Sequence, residues 1–255
     1  MRTLYESLLD INDVESGLGP IAMIDNWCKD NVDGQYVIDE ETLEINSPGG
    51  ISIINKKLVE VPSYIHFRTI RGDFSCSNCD SLKSLKGVPK EVGGDFVCNY
   101  CTALKSLKDA PKEVGRNFYC DNCASLKSLE GAPKEVGDCF LCNNCTSLKS
   151  LEGAPQKVDG NFSCNSCSSL TTLEGAPEKV GYNFSCVGCS SLKSLEGAPK
   201  EVGRNFGCMS CTSLTSLEGS PRVIGKDFSC NGCSSLTSLK GISEHIKGKI
   251  HSDIK

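Results

Sequence analysis

The sequence predicts an all-β-dominated solenoid of 22-residue coils built on a parallel sheet, headed by a small acidic α+β cap. Three observations predict it. Phenylalanine recurs at Phe74, Phe96, Phe118, Phe140, Phe162, Phe184, Phe206 and Phe228, always 22 residues apart. Each is followed at fixed intervals by Cys, Cys, Leu and Leu, as in Phe118, Cys120, Cys123, Leu126 and Leu129. Each unit then returns through a segment such as GAPKEV, whose Gly131 and Pro133 disfavour a long helix. A fixed period of this kind marks a chain whose units bury their apolar faces only against one another.

Within one unit the elements follow in order. Phe118 and Cys120 alternate with period two, so both face inward from a short strand. Cys123, Leu126 and Leu129 continue inward at intervals of three. Ahead of the strand, Val114-Gly115 reads as a turn, and the glycine recurring there predicts a positive φ. Stacking the units makes ladders of Phe, Cys, Cys, Leu, Leu and Val.

The ends taper. Residues 51–255 form the solenoid, opening on a divergent coil with Leu58, Val61, Pro62 and Ile65 at repeat spacing. It closes on a polar strand in which Ile246 and Ile250 keep phase. Residues 1–50 form the cap, with short helices at 3–10 and 21–31 and a hairpin from Tyr36 to Asn46. The net charge of −5 is uneven: residues 1–50 hold eleven acids against Arg2 and Lys29, a net of −9, which leaves +4 for the rest. That balance is too mild for a nucleic-acid footprint. Lys83, Lys86, Lys90, Lys105, Lys108 and Lys112 make the first coils basic, and the expectation is that they complement the acidic cap. No apolar run reaches the roughly 18 residues of a membrane span, and no secretory signal opens the chain, so a cytoplasmic location is expected.

The pattern F-x-C-x-x-C-x-x-L-x-x-L-x-x-x-P-x-x-V resembles the leucine-rich repeat, closest to the short bacterial effector-type repeats with an extended convex side. Phe118 and Cys120 match the strand hydrophobics, and Cys123 the position usually held by Asn or Cys. Leu126, Leu129 and Pro133 follow, with Pro133 displaced by extra residues. The resemblance covers about residues 51–254. It implies a horseshoe that binds a protein partner on the concave strand face, without catalysis. LYESLLD, Leu4 to Asp10, also resembles the opening of many gut-phage proteins, implying a phage protein that acts on a host factor in the host cytoplasm.

Eighteen cysteines raise a second reading. C-x2-C-x18-C-x2-C falls within zinc-site spacing, which keeps a metal-binding protein as an alternative, beside a structural virion component. Against it, every pair is locked in phase with Phe and Leu, so the spacing is inherited from the repeat, and an inward thiol beside Phe118 is expected to stay neutral. No cofactor or metal is assigned. Parallel Cβ vectors between equivalent cysteines disfavour disulfides. Cys139 replaces the Asp or Asn that precedes Phe elsewhere; it is expected to face outward as the reactive thiol of the array.

Known catalytic motifs are absent, and no enzyme is expected. The outward positions lie before, after and three after each Phe. In the column after Phe, the run Ser75, Val97, Tyr119, Leu141, Ser163, Ser185, Gly207, Ser229 holds one apolar stripe in adjacent coils. The expected partner-binding residues are Val97, Asn99, Tyr100, Tyr119, Asp121, Leu141 and Asn143, an aromatic anchor with a polar rim. Val187 and Met209 form a weaker second candidate.

Overall fold

The computed structural model describes residues 19–254; the helix expected at 3–10 and the LYESLLD stretch lie outside them. Helix α1, Pro20–Asn31, opens on proline, whose missing N–H costs nothing in a first turn, and buries Ile24, Cys28 and Asn31. Its end runs into β1, Val32–Gly34, which pairs antiparallel with β4, Ile51–Ile53. Between them lies the expected hairpin, β2 (Val37–Ile38) against β3 (Ile45–Ser47). The Asp39 carboxylate shapes its turn by accepting from the Glu41 and Thr42 N–H groups.

From β4 onward the chain winds with one period. The strands that begin at Phe74, Phe96, Phe118, Phe140, Phe162, Phe184, Phe206, Phe228 and Ile250 stack parallel in an 11-stranded sheet. Phe lies over Phe at each regular step, and Ile250 pairs with Phe228 at the last. The return segments form a second wall of two-residue strands, divided into five- and six-stranded sheets. The division falls between Glu113–Val114 and Glu135–Val136. One core runs from Ile24 to Leu236, and all eight phenylalanines of the repeat are fully buried. Their rings succeed one another at 5.0–5.9 Å. Phe67 meets the end of this stack edge-on at 5.4 Å and Trp27 meets Phe67 at 6.4 Å, so the cap continues the aromatic column. Each such pair is worth ~0.5–1.5 kcal/mol beyond the area it buries.

Two-residue strands leave backbone groups to satisfy at each end, and side chains do it. Before the strand, the Asp95 carboxylate accepts from the Asn117 N–H and side-chain amide, and Asn117 Oδ1 accepts from the Cys139 N–H. After the strand, Asn99 Oδ1 accepts from the Asp121 N–H at 2.7 Å, Asp121 from Asn143, and Asn143 from Asn165. The thiols serve the carbonyls: Cys123 Sγ donates to the Cys98 carbonyl at 3.2 Å, and the step repeats along the solenoid. Cysteine therefore does more than fill space. It is a small apolar side chain whose weak donor caps a carbonyl where the ladder stops.

One expectation is corrected. The glycine after Val114 does not take a positive φ; that conformation belongs to the Gly131 column, with φ +97° at Gly131 and +86° at Gly153. Gly115 is needed for closeness instead, since a Cβ there would stand 2.2 Å from the Gly93 carbonyl oxygen. The lysine edge does not pair with the described part of the cap. The ion pairs of that part join Asp25 to Lys29 and Glu44 to Arg68. Among the described residues none of the six lysines forms one, and all six are exposed.

Candidate functional site

The outward face of the 11-stranded sheet carries the candidate site. Strand register sets Tyr119 directly between Val97 and Leu141, so the three side chains form one stripe across neighbouring coils. All three are half-buried, packed by their neighbours yet open to solvent. Serine or glycine fills the column on either side, so the stripe is a local rise of apolar surface on a small, polar face.

Tyr100 stands three residues after Val97 and is 51% exposed. Its backbone is left-handed, with φ +61°. The equivalent residues Asn78, Asn122, Asn144, Ser166, Gly188, Ser210 and Gly232 share that conformation with φ from 56° to 74°. Asn and Gly adopt it at low cost; a tyrosine does not. The column is therefore strained at its one aromatic member.

Asp121 is a second departure. The corresponding residues on either side are Asn99, Asn143 and Asn165, which serve as neutral acceptors in the ladder. Burial of Asp121 pushes its carboxyl pKa above the usual range, partly offset by the Asn143 N–H it binds. Asn99, Asp121 and Asn143, read from sequence as a rim, are thus also structural. Each gives an oxygen to the next coil, and Asn143 further accepts from the Ser163 hydroxyl.

Cys139 interrupts the ladder ahead of the strand. It is the one cysteine that is not buried, though half-buried rather than fully outward. Its sulfur takes the place of the Asn oxygen, accepting from the Asn161 N–H and side-chain amide at 3.4 Å, and it donates to Asp138 at 3.2 Å. Burial, together with Asp138, pushes its thiol pKa up. Val187 and Met209 cannot accept, so the ladder after the strand lapses there. Met209 is 37% exposed beside the small Gly207.

The metal reading meets a fixed arrangement of thiols. In each step the second cysteine of a coil lies against the first cysteine of the coil before, and its thiol is engaged with a carbonyl. Among the described residues no three His, Cys, Asp or Glu side chains are grouped to hold an ion. A groove of about 640 Å³ overlies the division of the second wall, lined by Glu91, Lys112, Glu113, Lys134, Glu135 and Asp159 with Val92, Val114 and Val136 among them. Among the described residues no helix is long and apolar enough to cross a membrane.

A short parallel strand, an inward Cys-x-x-Leu-x-x-Leu run and an extended return recur every 22 residues in register. The coils form a parallel β-solenoid of a single repeat type. Comparison with protein-family models and with curated proteins gave no match. A crystal structure of a leucine-rich repeat protein from Bacteroides ovatus ATCC 8483 aligns over 86% of this chain and 89% of its own, at 16% identity and a TM-score of 0.23. The solenoid is established by the register of the coils themselves.

Sequence reasoning found the stripe but not the strained column or the side-chain ladders. Both carried a signal. The residues four after each Phe are Asn, Ser or Gly except Tyr100, and those three after are mostly Asx.

Proposed function

We propose that this protein is a non-catalytic recognition scaffold that binds a protein partner through its strand face. Val97, Tyr119 and Leu141 form the apolar anchor, with Tyr100 beside them and Asn99, Asp121 and Asn143 as the polar rim. One observation carries the reading. Beside the stripe two residues depart from their columns: an aromatic in a left-handed backbone and a half-buried carboxylate in an amide ladder. Strain and awkward charge persist where a function holds them. Tyrosine is also among the residue types enriched at interface hot spots. A phage protein acting on a bacterial host factor is the partner class that the opening residues suggest.

The test is capture from a bacterial lysate with the wild-type chain and a Val97→Lys, Tyr119→Ala, Leu141→Lys variant, each checked for an unchanged circular dichroism spectrum. The expected result is a protein retained by the wild type and lost by the folded variant. A partner held equally by both places the interface elsewhere. Capture of nothing by either removes the support for recognition.

A further inference from the structure

The ladder of thiols ends in a setting unlike its middle. Seven cysteine pairs join neighbouring coils, from Cys76 with Cys101 to Cys208 with Cys233. In each, the second sulfur lies 3.1–3.2 Å from the carbonyl oxygen of the first residue. Six pairs are wholly buried, whereas Cys233 of the last is 7% exposed. A cavity of about 260 Å³ opens on it, lined by Cys230, Gly232, Cys233, Ser234, Ser252 and Asp253. The Asp253 carboxylate is occupied by the Gly232 N–H at 2.7 Å and the Asn231 amide at 3.0 Å. The Cys233 thiol donates to the Cys208 carbonyl at 3.1 Å, and the neighbouring Cys208 side chain brings its pKa down to about 7. Cys208, like the first cysteines of the interior pairs, is pushed well up, and Cys101, the second cysteine of the first pair, is lowered as Cys233 is.

We infer that Cys233 is an oxidation site and Cys208 its resolving partner, so that hydrogen peroxide entering the end cavity converts this pair into an inter-coil disulfide. The Cys233 thiolate attacks one peroxide oxygen; an S–O bond forms, the O–O bond breaks, and the departing hydroxide takes up a proton as water. The Cys208 sulfur then displaces the hydroxyl group of the sulfenic acid. An S–S bond forms, the S–O bond breaks, and a second water leaves with the Cys208 proton. Two thiols and one peroxide give one disulfide and two waters. Access selects the pair, because the other six are wholly buried, and Cys139 engages Asp138 and Asn161 rather than a second cysteine. The outcome links the last regular coil covalently to its neighbour.

The test treats the reduced, folded full chain with one equivalent of hydrogen peroxide, blocks free thiols after denaturation, and maps peptides without reduction. The expected first product is the linked Cys208–Cys233 peptide, with Cys233 lost about tenfold faster than any other thiol. In Cys208→Ser the sulfenic acid persists and is trapped by dimedone on Cys233. Should that variant not fold, Cys230→Ser serves, and it keeps the Cys208–Cys233 link. A Cys230–Cys233 link, earlier oxidation of Cys139, or no thiol loss until the chain unfolds overturns the inference.

Discussion

Tyr100 holds a backbone conformation that its counterparts fill with Asn, Ser or Gly, and nothing in the local sequence asks for an aromatic there. Returning the position to the residue of its column, Tyr100→Asn, is expected to stabilise the fold by about 1 kcal/mol, the scale of left-handed strain. The same change should weaken partner capture. Chemical denaturation and capture on one preparation read both, and lower stability with intact binding contradicts the role given to Tyr100. Asp121 makes the parallel case through charge. Its folded pKa is raised by burial, so the folded chain holds that proton more tightly than the unfolded chain. Its contribution is then fully present below the ordinary carboxylate pKa and is lost as pH rises through the folded value. Asp121→Asn keeps the oxygen that Asn143 needs and removes the charge. The variant should melt higher at pH 7, with the gap closing as pH falls through the carboxylate range. A gap that ignores pH assigns the gain to something other than the charge.

The coil is set by close approach as much as by hydrophobic period. Each glycine after the return-strand valine lets one backbone lie on the last, and Gly115→Ala is expected to cost ~1–3 kcal/mol because the new methyl meets backbone that cannot swing away. Gly207→Ala is the control. Its Cβ would meet only Val187 and Ser185 side-chain atoms at 3.7 and 3.8 Å, so its stability should stay near wild type. Equal losses at both sites remove the packing argument. The contrast also explains what could be read in advance. The strand, the inward thiols and the Leu columns follow from side-chain period, and the sequence carries that directly. The reason for Gly115 does not, since a glycine held by a neighbour 22 residues away looks the same in sequence as one needed for φ. The pairing of Cys208 with Cys233, 25 residues apart, was equally hidden. It depends on where a two-residue strand ends and turns, and it joins cysteines that are not equivalent in the repeat. The division of the second wall at Glu113 and Glu135 has no mark in the repeat at all, because both coils carry the same Glu-Val pair.

At the scale of the whole molecule, each coil touches chiefly its neighbours, so stability is close to a sum of coil and interface contributions. The repeat has no slippage, and removing one whole period rejoins like to like. Excision of residues 162–183 joins Asn161 to Phe184, with Asn161 standing where Asn183 stood. Excision of residues 118–139 joins Asn117 to Phe140 and puts an amide back where Cys139 interrupted the ladder. Both chains should fold cooperatively, with a denaturant dependence reduced in step with the surface removed. They should differ in binding. The first keeps Val97, Tyr100, Tyr119, Asp121 and Leu141 in their original order; the second loses Tyr119 and Asp121 and brings Val97 against Leu141. Partner capture by the first and not by the second localises recognition to the stripe. Loss in both makes the interface longer than the stripe, and retention in both moves it off these coils altogether.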